Sequence, residues 1–179
     1  MISGSPKPLS LARSIIAGDA TAPVLVLEEN LSFWGGIDPD SGLIIDSHHP
    51  QQGQCIAGQL LVIPGIKGST AGPGALLECL FAGQGPAGLI ICQLDISPLI
   101  AISVFEALRA QSVPMAEIHP NSSKLMCTGE LWHLHVQDPD NVNSAGVCSP
   151  VFWASTAHHK GFWLLGAIWK TEGNVGRTR

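Results

Sequence analysis

The stretch from Leu61 to Leu80 constrains this chain more than any other. It runs from the apolar segment Leu61-Val-Ile-Pro64 through a loop of glycine, serine and threonine into an apolar helical pattern. That order reads as strand, loop, helix. The loop of such a unit lies at the helix N-terminus, where unpaired backbone N–H groups and the positive end of the helix dipole attract anions and hydroxyl oxygens. Ser69 therefore stands where a reactive hydroxyl could work.

The flanking sequence extends the alternation. Thr21 to Leu31 holds Ala-Pro-Val-Leu-Val-Leu and reads as a strand; Leu43 to Asp46 reads as a short one, and Gln54 to Pro64 as another. Beyond the loop, Ala75 to Phe81 sets Leu76, Leu77, Leu80 and Phe81 at helical spacing, with Gly83 and Gly85 closing the helix. Ala87 to Cys92 is continuously apolar, as a strand buried on both faces is. Ser97 to Arg109 reads as a helix with Ser97 as cap and Pro98 at its first position. Val113 to Ile118 and the alternating Leu131 to Val136 supply late strands. Strands first and strand–helix units in the middle predict an α/β fold with β/β/α layering.

Composition narrows the function classes. The chain has 179 residues, 45% hydrophobic and 13% charged, enough for one core. A net charge of −5, with nine Lys and Arg scattered along the chain, excludes a nucleic-acid footprint. No window reaches the ~20 apolar residues of a membrane span, and the N-terminus lacks a signal-peptide pattern, so the chain is read as cytoplasmic with no membrane partner. The five cysteines, Cys55, Cys79, Cys92, Cys127 and Cys148, stand singly without C-x-x-C spacing, which argues against a zinc ribbon, a cluster site or a disulfide framework. The histidines form three loose pairs, His48-His49, His133-x-His135 and His158-His159. A metal site needs three or four converging ligands, which loose pairs do not specify, and none is expected on this chain.

From Asp138 to Arg179 the alternation fades, while Trp153, Trp163 and Trp169 accumulate. The apolar run Gly161 to Trp169 is too short to cross a bilayer. It stands open as a docking helix, the first piece of another domain, or a tail foreign to the fold. The expected division is a domain over residues 1–137 and an atypical segment over 138–179.

Three blocks carry a family resemblance: Leu31-Ser-Phe-Trp-Gly-Gly-Ile-Asp-Pro-Asp-Ser-Gly42, Ile45-Asp-Ser-His-His-Pro50 and Gly68-Ser-Thr-Ala-Gly72, with Arg13 and Gly18 ahead of them. In this order they resemble the small subunit, or swivel domain, of the aconitase X family, from about Arg13 to about Val136. The resemblance implies a swivelling β/β/α domain like the fourth domain of aconitase, closing over a cleft whose metal centre belongs to a larger partner. It also implies a hydro-lyase reaction, dehydrating cis-3-hydroxy-L-proline in bacterial and fungal members and mevalonate 5-phosphate in archaeal ones. An iron–sulfur cluster or iron is then expected in the large subunit or domain, and no cofactor on this chain. The low charged fraction and the several glutamines do not look hyperthermophilic, which tilts the expectation toward the hydroxyproline substrate.

Dehydration next to a carboxylate needs a base for the proton. A serine hydroxyl serves only if N–H donors, a cation and a helix N-terminus hold it as an alkoxide-like oxygen. Ser69 is the candidate base and Thr70 the fallback. Lys67 offers the cation, and the amides of Gly68, Thr70, Ala71 and Gly72 offer donors for it or for a substrate carboxylate. His49 or His48 could face the cleft as a polar group. Against this stands a plain alternative, that Ser69 and Thr70 cap the following helix. Many family members carry Arg where this chain has Lys67, and Ala71 and Pro73 replace small hydroxyl residues. A point charge binds a carboxylate less specifically than a planar fork. Phe33 and Trp34 read either as cleft wall or as core, and Asp38 and Asp46 as loop braces. A phosphohistidine swivel domain lacks its Thr-Ser-His context here; a docking module without chemistry remains the rival.

Overall fold

Successive residues of Leu60–Ile63 belong to two different cores, and that alternation organises the molecule. The computed structural model describes residues 10–68, 70–138 and 166–170. Among the described residues seven strands and three helices follow in chain order: β1 (Ser10–Ile16), β2 (Gly18–Val26), β3 (Leu60–Ile63), α1 (Gly72–Phe81), β4 (Gly88–Ile91), α2 (Ile96–Arg109), β5 (Met115–Glu117), α3 (Pro120–Ser123), β6 (Leu131–Val136) and β7 (Gly166–Lys170). The strands close a barrel in the order β1-β5-β4-β3-β2-β6-β7.

Strands β2, β3, β4 and β5 run parallel to one another, as crossovers through helices require. Strands β1, β6 and β7 join antiparallel and complete the wall. Leu60 and Val62 pack with Val24, Ile90, Ala116, Trp132, Leu134 and Val136, residues drawn from opposite walls; this is the barrel interior. Leu61 and Ile63 pack with Leu25, Leu89 and Ile91, and with Leu76, Cys79, Ile102 and Phe105 of the helices. The result is the expected β/β/α layering, with one core between the walls and one between the parallel strands and α1 and α2. Period-two alternation in strands that are buried on both faces produces both cores at once.

Several local expectations are corrected. Asp95, not Ser97, caps α2: its carboxylate accepts the Ser97 N–H at 2.7 Å. Leu43–Asp46 forms no named strand, only isolated bridges that pair Leu43 with Cys55 and Ile44 with Ile37. A strand, β1, precedes the one read as first, and β2 begins at Gly18 and ends at Val26, short of Leu31. Within the C-terminal segment, Gly166–Lys170 is a strand rather than a helix, bonded to both β1 and β6. Trp153, Trp163, Cys148, His158 and His159 lie outside the described residues.

Candidate functional site at the carboxyl edge of the parallel strands

In a parallel sheet the loops that leave the carboxyl ends of the strands are the usual place for a ligand. Here they are Leu27 to Gln59 after β2 and Pro64 to Ala71 after β3. Main-chain bonds lock the two together. The Leu31 N–H donates to the Gly65 carbonyl at 3.2 Å, and the Lys67 N–H donates back to the Leu31 carbonyl at 2.9 Å. Leu31 and Ile66 thus form one rung of parallel pairing beyond the end of the sheet.

The next link joins the first block to the second. The Gly36 carbonyl accepts the Ile45 N–H at 2.8 Å and the Asp46 N–H at 3.4 Å. Asp46 then turns back on its own loop, taking the His48 N–H on Oδ1 at 2.9 Å, an Asx-type turn. Its Oδ2 lies 4.0 Å from Lys67 Nζ. The His48 hydrogen bond is the main reason that the Asp46 carboxyl is held below the usual carboxylate range; partial burial opposes it, and Lys67, His48 and His49 add to the lowering. The first two blocks, neighbours in the chain, are thus tied to each other and, through Leu31 and Asp46, to Lys67, which immediately precedes the third.

The candidate residues fall as follows. Ser69 lies outside the described residues. Lys67 and Gly68 before it and Thr70 and Ala71 after it are exposed, and a Cβ at Gly68 would meet nothing within 4 Å. Gly72 is buried as the first residue of α1. The residue in the cap position is Ala71, which brings no side-chain hydrogen bond to the helix end. Thr70 is therefore not the cap of α1. His49 is placed inside its loop and not at the cleft: it is 3% exposed, its Nδ1 accepts the Gln51 N–H, and Nε2 meets the Glu29 carbonyl at 3.4 Å. His48 is the histidine of this pair open to solvent. Phe33 belongs to the core, whereas Trp34 is 61% exposed beside the loop cluster. Asp38 accepts a hydrogen bond from the Ser41 hydroxyl, bracing its turn.

Two carboxylates join the edge that sequence reading did not bring there. Glu117, the last residue of β5, pairs with Arg13 of β1 at 3.3 Å and accepts the Leu94 N–H on its other oxygen. Gln51 donates to Glu28 at 2.8 Å and ties the loop after β2 to itself. Cys79, buried, and Cys92, half-buried, behave as packing residues. Burial pushes the Cys79 thiol up to about 11 and raises Cys92 as well, so both stay protonated near neutral pH. Among the described residues no cysteine shares a cluster with two other metal-ligating side chains. The described cysteines thus do not fit an iron–sulfur cluster. A shallow pocket of about 250 Å³ lies at the opposite edge of the sheet, lined by Gly85, Pro86, Phe105 and Ser112, and shares no residue with the loops.

The family model described as the aconitase X swivel domain matches residues 10–135. The chain belongs to the aconitase X swivel family. It is 40% identical over 108 residues to a cis-3-hydroxy-L-proline dehydratase of Pseudomonas aeruginosa, covering 60% of this chain and 19% of that protein. It is 42% identical over 105 residues to the phosphomevalonate dehydratase small subunit of Methanothermobacter thermautotrophicus, covering 59% of this chain and 76% of the relative. The chain thus spans about a fifth of the length of the hydroxyproline dehydratases that it matches. The solved aconitase X of Thermococcus kodakaraensis, a holo-form, superposes with a TM-score of 0.62 at 27% identity, over 69% of this chain and 88% of that one. The swivel architecture read from the sequence is therefore the one observed. No helix among the described residues is long and apolar enough to cross a membrane.

Proposed function

We propose that this chain is the swivel component of a cytoplasmic aconitase X-type hydro-lyase that dehydrates a small hydroxy acid, cis-3-hydroxy-L-proline, in company with a large subunit or domain. The observation that carries the reading is the bonding of Leu31 and Asp46, from the first two blocks, to the Ile66–Lys67 segment that leads into the Gly-Ser loop, in a chain that matches the swivel model over residues 10–135. In this reading Ser69 takes the proton next to the substrate carboxylate, with Thr70 as the fallback. Lys67 and the amides around Gly68, Ala71 and Gly72 hold the carboxylate, and Asp46, whose Oδ2 lies 4.0 Å from Lys67 Nζ, orients that side chain. Any iron or iron–sulfur cluster belongs to the large partner.

Charge at the edge supports an amino-acid substrate over a phosphate. The described cations there, Lys67 and Arg13, each face a carboxylate, and Glu28 and Glu29 stand exposed on the adjoining loop. A substrate that carries a phosphate besides its carboxylate would call for more positive charge. Mevalonate 5-phosphate is the second reading, favoured by the 76% coverage of the archaeal small subunit. A partner is supported by α2, where Ile96, Ile100, Val104 and Leu108 form an exposed apolar row at i, i+4 spacing.

The test is coexpression with the large subunit, anaerobic iron reconstitution, and side-by-side assay of both substrates with Ser69→Ala as control. Turnover of cis-3-hydroxy-L-proline that vanishes in Ser69→Ala is the expected result. Turnover of mevalonate 5-phosphate alone would select the second reading. Assembly without turnover of either would leave a docking module.

A further inference from the structure

On the outer wall of the barrel, at the amino end of β2 and away from the loop edge, three metal-ligating side chains converge. Strands β2 and β6 pair so that Asp19 lies opposite His135 and Thr21 opposite His133. Trp132, Leu134 and Val136 fill the barrel interior, and strand alternation sends His133 and His135 to the outer face together. Asp19 Oδ1 is 2.6 Å from His135 Nδ1 and 3.3 Å from His133 Nε2. One ligand atom from each of the three residues lies within 4.8 Å of the others. We propose that Asp19, His133 and His135 bind a divalent transition-metal ion of the zinc class.

The chemistry of the donors selects that class. Two imidazoles and one carboxylate suit zinc and its neighbours, whereas calcium and magnesium take oxygen ligands. Bonds of about 2.0–2.2 Å in tetrahedral geometry put ligand atoms roughly 3.3 Å apart, which is the Asp19–His133 spacing. The Asp19–His135 contact opens by under an ångström to match, and Asp19, with a side chain 59% exposed, has room to make that move. A supporting group is in place. The Thr21 hydroxyl contacts His133 Nδ1 at 2.6 Å and can accept an N–H there; in that tautomer the nitrogen bearing the lone pair is Nε2, the one 3.3 Å from Asp19 Oδ1. The same hydroxyl donates to Nδ1 in the other tautomer, so metal entry needs a tautomer shift and no proton loss. His135 Nε2 is buried without a hydrogen-bond partner, so the ring offers its lone pair to an ion through Nδ1, the nitrogen that faces Asp19. Three protein ligands leave a fourth position to water, on a side open to solvent through Asp19. The ion would clamp β2 to β6, strands that meet only through long-range pairing.

The full 179-residue chain is titrated with Zn²⁺ by calorimetry while the imidazole ¹H–¹⁵N correlations of His133 and His135 are followed by NMR. The expected result is saturation at one equivalent with both rings shifted to the tautomers that free His133 Nε2 and His135 Nδ1, and a rise in thermal midpoint, since the ion binds only the folded pairing. Asp19→Asn, at an exposed position, should weaken affinity by about 10- to 100-fold, and Asp19→Asn with His133→Gln should abolish binding. Saturation with the two rings unmoved, affinity unchanged in the double variant, or no uptake of Zn²⁺, Co²⁺ or Ni²⁺ would each overturn the assignment. The ring shifts are read on the unsubstituted chain, so a misfolded variant does not rescue the proposal.

Discussion

Replacing Gly36 by alanine tests the loop architecture most directly. A Cβ at Gly36 would stand 2.2 Å from the Ser32 carbonyl oxygen, a backbone atom that cannot rotate away. Relief needs roughly 1 Å of main-chain movement, and overpacking of this kind costs about 1–3 kcal/mol. The Gly36 carbonyl itself accepts the Ile45 and Asp46 N–H groups, so movement of Gly36 also weakens those bonds, each worth about 1 kcal/mol. The sum is a loss of about 2–4 kcal/mol. Gly35 next to it supplies the contrast: a Cβ there meets nothing within 4 Å, but φ is +72°, and alanine in that conformation costs about 1 kcal/mol. Urea unfolding of the full chain, followed by tryptophan fluorescence, measures both. Gly36→Ala should shift the midpoint at least twice as far as Gly35→Ala, and the Asp46 and His48 amide resonances should move only in the Gly36 variant. Equal shifts, or a larger one for Gly35→Ala, would refute the reasoning from contact geometry.

Other outcomes follow from the same structure. Trp132 is 1% exposed inside the barrel and donates Nε1–H to Glu130, so Trp132→Ala should cost about 3–5 kcal/mol in urea unfolding; a loss below about 1 kcal/mol would mean that the barrel interior is not packed on it. Cys127 is exposed and Cys79 buried, so alkylation near neutral pH should modify Cys127 while Cys79 reacts only on unfolding. The Cys79 value is raised in the fold, so its contribution to stability is complete below the ordinary thiol range and is lost as pH rises toward about 11; stability in urea should fall over that interval, and less so in Cys79→Ala. Asp46 has the opposite sign: its lowered value means a contribution present above the usual carboxylate range and lost as pH falls through the lowered midpoint. The His48 amide shift should follow that midpoint, and Lys67→Met should raise it. Ile100→Lys with Leu108→Lys on the exposed row of α2 should reduce copurification with the large subunit while leaving the unfolding midpoint in place.

Some of this was decided within short windows of sequence. The continuous apolar run before β4 ends, the alternation of Leu131–Val136 and the helix after the Gly-Ser loop depend on neighbours a few residues apart, and each appears where its periodicity puts it. The order of those windows sufficed for the β/β/α layers, and the three blocks for the family. Other features depend on partners far along the chain. Strand β1 has no strong alternation of its own and exists because β5 and β7 bond to it; β7 exists because β1 and β6 do. His49 looked like a cleft residue in sequence, but backbone groups at Gln51 and Glu29 claim its ring. The sequence shows His133 and His135 on one strand face, but not that Asp19, 114 residues before His133, stands opposite. Register between distant strands is set by closing the barrel around one interior, a constraint shared by all its strands and carried by none of them alone. Local periodicity therefore determined the elements and their layering, and only the closed tertiary pairing decided which polar side chains meet.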